Sequence, residues 1–314
     1  MRESKGKFIV KFRGVRGSHP TPDFNFLEYG GNTSCVEVNV NGHLIILDAG
    51  TGIIKCGNEL LKDYVANFHK EPITATILLS HVHNDHIQGL PFFKPVHVKT
   101  SAVNIVGFSD YEDGLDAVVS QLMFDKSFPL SLNDLNAKMS FYDINDNYAL
   151  VFGENDPTPE MVKIEKDEDY QPHGEEVVVS CLKSNSHPKD GVMIYKIAYK
   201  DKSLVYATDT EGFVGANKKL VLFARNTDLL IHDAQYTTEE YLNPYFSKQG
   251  YGHSTFDMAL ETFSQANANS LAFFHLDPNY NDEFLQEVEN HYTENCEKCF
   301  IPKEGQEIII LWKN

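Results

Sequence analysis

The chain has 314 residues, 42% of them hydrophobic, enough for one large globular domain or two small ones. Its formal net charge of −18 argues against broad electrostatic attraction to nucleic acid or to an anionic membrane. No apolar run approaches the roughly 20 residues needed to cross a bilayer, and no apolar leader follows Met1, so a cytoplasmic protein is expected.

Residues 8–12 alternate as a short strand and run into the turn-rich Arg13-Gly14-Val15-Arg16-Gly17-Ser18-His19-Pro20. Arg13 and Arg16, at this junction, are candidates either for a phosphate contact or for pairing with carboxylates. The run 35–40 alternates again, Asn41-Gly42 predicts a tight hairpin, and 43–48 returns as the partner strand. Asp48-Ala49-Gly50-Thr51-Gly52 closes that strand and leads into a predicted helix through Leu60, Leu61 and Tyr64. Next comes the apolar run 76–80, which ends in His81-Val82-His83-Asn84-Asp85-His86. In extended chain His81 and His83 point to the same side, while Asp85 and His86 lie where the chain begins to turn and reach a second point. Imidazole and carboxylate suit zinc and its first-row neighbours, and ligands clustered at a strand end point to two ions.

Residues 101–176 read differently. The charge run Glu165-Lys166-Asp167-Glu168-Asp169 and the turn-formers Asn155-Asp156-Pro157-Thr158-Pro159 predict a surface insertion. Strand patterning resumes at 176–180 and continues at 192–197, with Ser186-His187-Pro188 in the loop between. The strand 203–207 leads to Thr208-Asp209-Thr210, and the strand 228–233 ends in His232-Asp233. A helix over 255–266 and a strand over 270–274 precede His275. Strands alternating with helices predict an α/β layered architecture, organised as one domain over 1–314 with an insertion at about 101–176. The five cysteines, Cys35, Cys56, Cys181, Cys296 and Cys299, are odd in number and scattered, which fits reduced thiols better than a disulfide framework. Cys296-Glu297-Lys298-Cys299 lacks the second ligand pair a structural zinc would need.

Four strands thus end in residues able to bind metal or move protons, and such ends converge along one edge of a layered domain. His81-x-His83-x-Asp85-His86, followed in order by His187, Asp209 and His275, resembles the signature of the metallo-β-lactamase superfamily of metal-dependent hydrolases. The resemblance runs from Phe12 to about Asp277 and is weak in 101–176. It implies a four-layer αββα sandwich holding two divalent ions, zinc or else manganese. Carried over by residue, it places His81, His83 and His187 on one ion, Asp85, His86 and His275 on the other, and Asp209 across both. A bridging carboxylate suits ions about 3.5–4 Å apart.

Two further segments, Gly252-His253-Ser254-Thr255 and His232-Asp233-Ala234, resemble the phosphodiesterase branch related to tRNA 3′-processing endonucleases. Gly30-Gly31-Asn32-Thr33-Ser34-Cys35 is similar to the segment near the mouth of such sites. The likeness implies that His253 is a proton donor oriented by Asp233; by position alone, His253 is equally a residue preceding a capped helix. Together with Asp85 these are the catalytic candidates. A phosphodiester needs a nucleophile at neutral pH, charge stabilisation at phosphorus and a proton for the departing alkoxide; metal-bound hydroxide meets the first need. No glycine- and lysine-rich arm for gripping tRNA is present, and 101–176 is acidic. A small phosphodiester, such as a 3′,5′-cyclic nucleotide, is therefore the expected substrate, with no membrane partner, long nucleic acid disfavoured and a homodimer open by analogy. An RNA-processing nuclease, or a carboxyl-ester, thioester or lactone hydrolase, are the alternatives.

Overall fold

The computed structural model describes residues 5–68, 71–108, 114–123, 128–164, 170, 172–294 and 296–311. Two sheets face each other. The first is built mainly from β1 (Phe8–Gly14), β2 (Cys35–Val40), β3 (His43–Leu47), β4 (Thr74–Leu78), β5 (Ala102–Gly107) and β6 (Lys138–Asp143). The second holds β7 (Tyr148–Phe152), β8 (Glu160–Lys163), β9 (Val177–Ser184), β10 (Val192–Tyr199), β11 (Lys202–Ala207), β12 (Leu229–Asp233), β13 (Leu271–Phe274) and β14 (Cys299–Phe300). The chain then returns so that β15 (Glu307–Ile309) pairs with β1 on the far edge of the first sheet. The helices are α1 (Gly52–Ala66), α2 (Asn84–Ile87), α3 (Gly114–Met123), α4 (Lys218–Phe223), α5 (Thr238–Tyr241), α6 (Phe256–Ala266) and α7 (Asp282–Thr293).

Each sheet changes character halfway. The β2–β3 hairpin turns on Asn41 and Gly42, both at positive φ (47° and 87°), which matches the twist of the flanking strands. From β3 onward the first sheet is parallel, β3 to β4 to β5 to β6, with helical crossovers between strands. The second sheet repeats the plan. Strands β9, β10 and β11 are antiparallel, and β11 to β14 are parallel, with α4, α6 and α7 in the crossovers.

Side-chain alternation sorts the core into layers. On β3, Ile45 and Leu47 enter the core between the sheets, whereas Leu44 and Ile46 pack with Ile53 and Cys56 of α1 and with Leu115 and Val119 of α3. On β13 the same split separates neighbours. Phe274 meets Phe12 across the sheets and Tyr206 within its own sheet, and Phe273 meets Phe256 of α6 and Tyr292 of α7. Helix, sheet, sheet and helix are the expected four layers.

The expected insertion is corrected in part. The described portion of 101–176 is woven into both sheets, with β5 and β6 extending the first and β7 and β8 edging the second. Its alternation is short and its neighbours are polar, so strand periodicity is faint there. The run 165–169 lies outside the described residues. The cysteine expectation is also corrected. Cys296 and Cys299, their Cα atoms 5.5 Å apart in the turn between α7 and β14, form a disulfide. Cys35, Cys56 and Cys181 are free and buried. Among the described residues no helix is long and apolar enough to cross a membrane.

Candidate active site

Parallel strands deliver their carboxyl ends to one edge, and a site forms just beyond them. Asp48 follows β3, His81 to His86 follow β4, Asp209 follows β11, Asp233 ends β12 and His275 follows β13. His187 comes from the loop between β9 and β10, and His253 from the turn before α6. Asp48, Asp209 and His275 all sit in the left-handed region (φ 60°, 49° and 60°), where non-glycine residues are strained. That conformation turns the chain sharply at the strand end, and strain of this kind gathers at functional sites.

All seven candidate metal ligands are brought together. His81, His83 and His187 form one group and Asp85, His86 and His275 another, with ligand atoms in each group within 4.8 Å of one another. Asp209 lies between them. Its Oδ1 faces the first group, 3.7 Å from His81 Nε2 and 3.9 Å from His187 Nε2. Its Oδ2 faces the second, 3.1 Å from His86 Nε2 and 3.2 Å from His275 Nε2. Asp85 Oδ2 lies 3.3 Å from His86 Nε2 and 3.2 Å from His275 Nε2. His81 Nε2 is shielded from solvent and has no hydrogen-bond partner, a costly state for a polar atom unless a cation takes its lone pair. The donor set, imidazoles with a shared carboxylate, fits a pair of divalent first-row ions.

The back of each ring is also held. His86 Nδ1 is 2.8 Å from Asp48 Oδ2, and Asp48 also accepts from Ser80 N, Ser80 Oγ and the Tyr206 hydroxyl. His275 Nδ1 meets Gln235 Oε1 at 3.0 Å, and His187 Nδ1 meets the Gly252 carbonyl at 3.2 Å. Such contacts fix the tautomer and aim the other nitrogen forward. The rings are packed so closely that a Cβ at Gly17 would lie 2.3 Å from the His275 ring, and one at Gly252 would lie 2.3 Å from His187 Nδ1. Burial lowers the pKa of His81 and His187, with the neighbouring imidazoles pushing the same way, so both rings are held neutral. Burial opposes ionisation of Asp85, but His86 and His275 outweigh it and keep the carboxylate charged.

Behind the seven stands a second unit. His253 Nδ1 is 2.8 Å from Asp233 Oδ2, and the other carboxylate oxygen accepts from the backbone N–H groups of Gln235 and Ser254. The His253 ring stacks on His275 at 4.9 Å between centroids and 12° between planes. Burial disfavours the charged ring, yet Asp233, with Asp209 and Asp85 adding, raises its pKa to about 9. The helix cap is Thr255, whose side chain accepts from Met258 N, so His253 is not needed to start α6.

Other candidates from the sequence lie outside the cluster. Arg13 is buried against Glu37 and Glu59, and Arg16 is spent on the carbonyls of Gly30, Asp277 and Tyr280, so neither arginine faces a phosphate. His232 points away from the cluster, its Nδ1 on the Asp233 carbonyl. Asp48 and Gln235 were not singled out; the signal for Asp48 was an apolar strand ending in a carboxylate, as at the other site strands.

A family model for the β-lactamase superfamily domain matches residues 43–276. The chain belongs to the β-lactamase superfamily. Within the superfamily it resembles the ribonuclease Z-like branch, and it is a metal-dependent hydrolase. It is 26% identical to a ribonuclease Z from Picrophilus torridus over 297 residues, covering 88% of this chain and 87% of that protein. The metallo-β-lactamase fold protein YhfI from Bacillus subtilis superposes with a TM-score of 0.64 at 17% identity, over 97% of this chain and all of that one. The short form of human tRNase Z gives 0.56 at 18% identity, over 97% of this chain and all of that one.

Proposed function

We propose that this chain is a dinuclear metal-dependent phosphodiesterase acting on RNA as a 3′-processing nuclease, with residues 1–314 forming one hydrolase domain. The observation that carries the phosphodiester reading is the His253–Asp233 pair, bonded at 2.8 Å and stacked against His275. A thioester, whose thiolate leaves without a proton, gives that pair little to do; a carboxyl ester or lactone would also leave an alkoxide, and likeness to proteins named ribonuclease Z weighs against it. A phosphodiester gives it a task, because the departing alkoxide needs a proton.

His81, His83 and His187 would hold one ion, Asp85, His86 and His275 the other, and Asp209 would be shared between them. Divalent ions there supply a nucleophile at neutral pH and offset negative charge on the phosphate. The chain's own groups do the rest. Asp233 binds Nδ1 of His253, which fixes the tautomer, favours the protonated ring and leaves Nε2 as the nitrogen that can donate to the leaving oxygen. Ser18 N–H and His275 anchor Asp85, and Thr208 anchors Asp209, so both carboxylates are in place before substrate arrives.

Likeness along nearly the whole length to proteins named ribonuclease Z supports RNA over a cyclic nucleotide. A small phosphodiester is the second reading, favoured by the net charge of −18, which works against a long polyanion. Protein loaded with zinc or manganese would be given a precursor tRNA bearing a 3′ trailer and, separately, 3′,5′-cyclic AMP. Trailer removal that weakens steeply with salt and vanishes in Asp209→Ala supports the RNA reading. Cyclic-nucleotide turnover without trailer cleavage would replace it with the second reading, and turnover of neither by the loaded protein would remove both.

A further inference from the structure

The loop that leads into His253 carries a group of side chains that the hydrolytic machinery does not use. Tyr245, Phe246 and Tyr251 are 87%, 79% and 55% exposed, three large aromatic surfaces within seven residues. Single exposed aromatics are ordinary, but several on one ordered loop call for a ligand. The loop is ordered. Glu211 accepts from the Tyr241 hydroxyl and the Gly250 N–H through one oxygen and from the Gly252 N–H through the other. Asn243 Oδ1 accepts from the backbone N–H groups of Tyr245 and Phe246, and Ser247 Oγ donates to the Tyr241 carbonyl.

The loop also fixes a cation beside the acid. Lys248 Nζ lies 5.4 Å from the ring centroids of both Tyr236 and Tyr251. Tyr236 in turn meets the His253 ring edge-on at 6.0 Å. A contact of this kind holds an ammonium in position without cancelling its charge. In a chain of net charge −18, a lysine held one ring away from the candidate acid is a selected place for an anion to bind.

Aromatic faces beside a fixed cation are what a nucleotide strand requires: bases stack on the rings and phosphate meets the ammonium. We propose that the 241–252 loop is a nucleotide platform, with Tyr251 and its exposed neighbours Tyr245 and Phe246 stacking bases of the substrate, and Lys248 pairing with a phosphate oxygen next to the one cleaved. The inference rests on the phosphodiesterase reading and deepens it. Because the faces accept any base, they confer preference for a nucleotidyl group over a simple phosphodiester, with little choice among sequences.

Two esters with the same leaving group isolate the effect: thymidine 5′-(p-nitrophenyl phosphate), which carries a base, and methyl p-nitrophenyl phosphate, which does not. Wild type should prefer the first. In Tyr251→Ser, kcat/KM for the thymidine ester should fall about tenfold further than for the methyl ester, the order of one base–aromatic contact. Tyr251→Phe should restore it. Lys248→Met should raise KM for both esters. Equal losses on the two esters in Tyr251→Ser, or no loss on either, would overturn the platform. Should wild type hydrolyse neither ester, the phosphodiesterase reading is decided separately, by the precursor tRNA and cyclic AMP. Fluorescence anisotropy of a labelled five-nucleotide RNA then still decides the platform: weaker binding by Tyr251→Ser sustains it, and unchanged binding removes it. A halved solution mass in Tyr245→Ser/Phe246→Ser, with ester preference intact, would assign those two aromatics to a second copy of the chain instead.

Discussion

The two candidate metal positions are built to different standards. At the position of Asp85, His86 and His275, every ligand is buried and each ring is braced from behind, His86 by the fully buried Asp48 and His275 by Gln235. At the position of His81, His83 and His187, the His81 and His187 rings are buried but His83 is only half-buried. The braces there are weaker: Ser80 Oγ lies 3.1 Å from His81 Nδ1, and a backbone carbonyl holds His187. A carboxylate behind an imidazole raises its basicity and fixes its aim, whereas a hydroxyl does less. The inner position should therefore bind an ion tightly and keep it, and the outer one should exchange.

Asp209 is the element the two positions share, so its loss should erase the difference between them. Asp209→Ala is expected to lower metal content at both positions and to abolish measurable turnover, read by elemental analysis beside kinetics. Retention of one full equivalent of metal would mean that Asp209 serves a single ion. The next largest effect belongs to the acid. His253→Ala should cost about 10²–10⁴-fold on an ester with a poor leaving group, less on a nitrophenyl ester, and leave metal content unchanged. Equal losses on both esters would remove the proton-donor role.

Asp48→Asn tests the asymmetry itself. The amide removes the charge behind His86 and lets the ring adopt the wrong tautomer, so inner-site affinity should drop about 10–100-fold while outer-site affinity holds. Competition with a chromophoric chelator would show the tight step moving toward the weak one. Two steps unchanged in that variant would mean that burial, not Asp48, sets the inner affinity.

Much of this site could be read in the sequence, for a physical reason. Candidate ligands such as His81, His83, Asp85 and His86 sit at a strand end, and an apolar run that stops at a polar cluster is visible without coordinates. The Asn41-Gly42 turn was legible because few dipeptides accept two positive φ angles. What supports the ligands was harder to see. Asp48 is 38 residues from His86, and only the parallel pairing of β3 with β4 brings them together. The strands β5 to β8 were hidden because their edges are polar and their runs short, so they resembled an insertion. Arg13 and Arg16 stayed open between two roles because a buried arginine and a phosphate-binding one look alike in sequence; burial against Glu37 and backbone carbonyls separates them.

The pH profile gives the finest comparison, between the acid and the ligands beside it. A proton donor works only while protonated. Asp233 and the nearby carboxylates raise His253 to about 9 against the pull of burial, so activity on a poor leaving group should be full below that limb and fall as pH rises through it. Divalent cations near Asp209 favour the neutral ring, which places the limb of the loaded enzyme at or below about 9. In Asp233→Asn the nearest raising charge is gone, and burial then acts with less opposition, so the limb should move to lower pH. A limb that stays in place in Asp233→Asn but shifts when zinc is exchanged for manganese would belong to a metal-linked ionisation and not to His253.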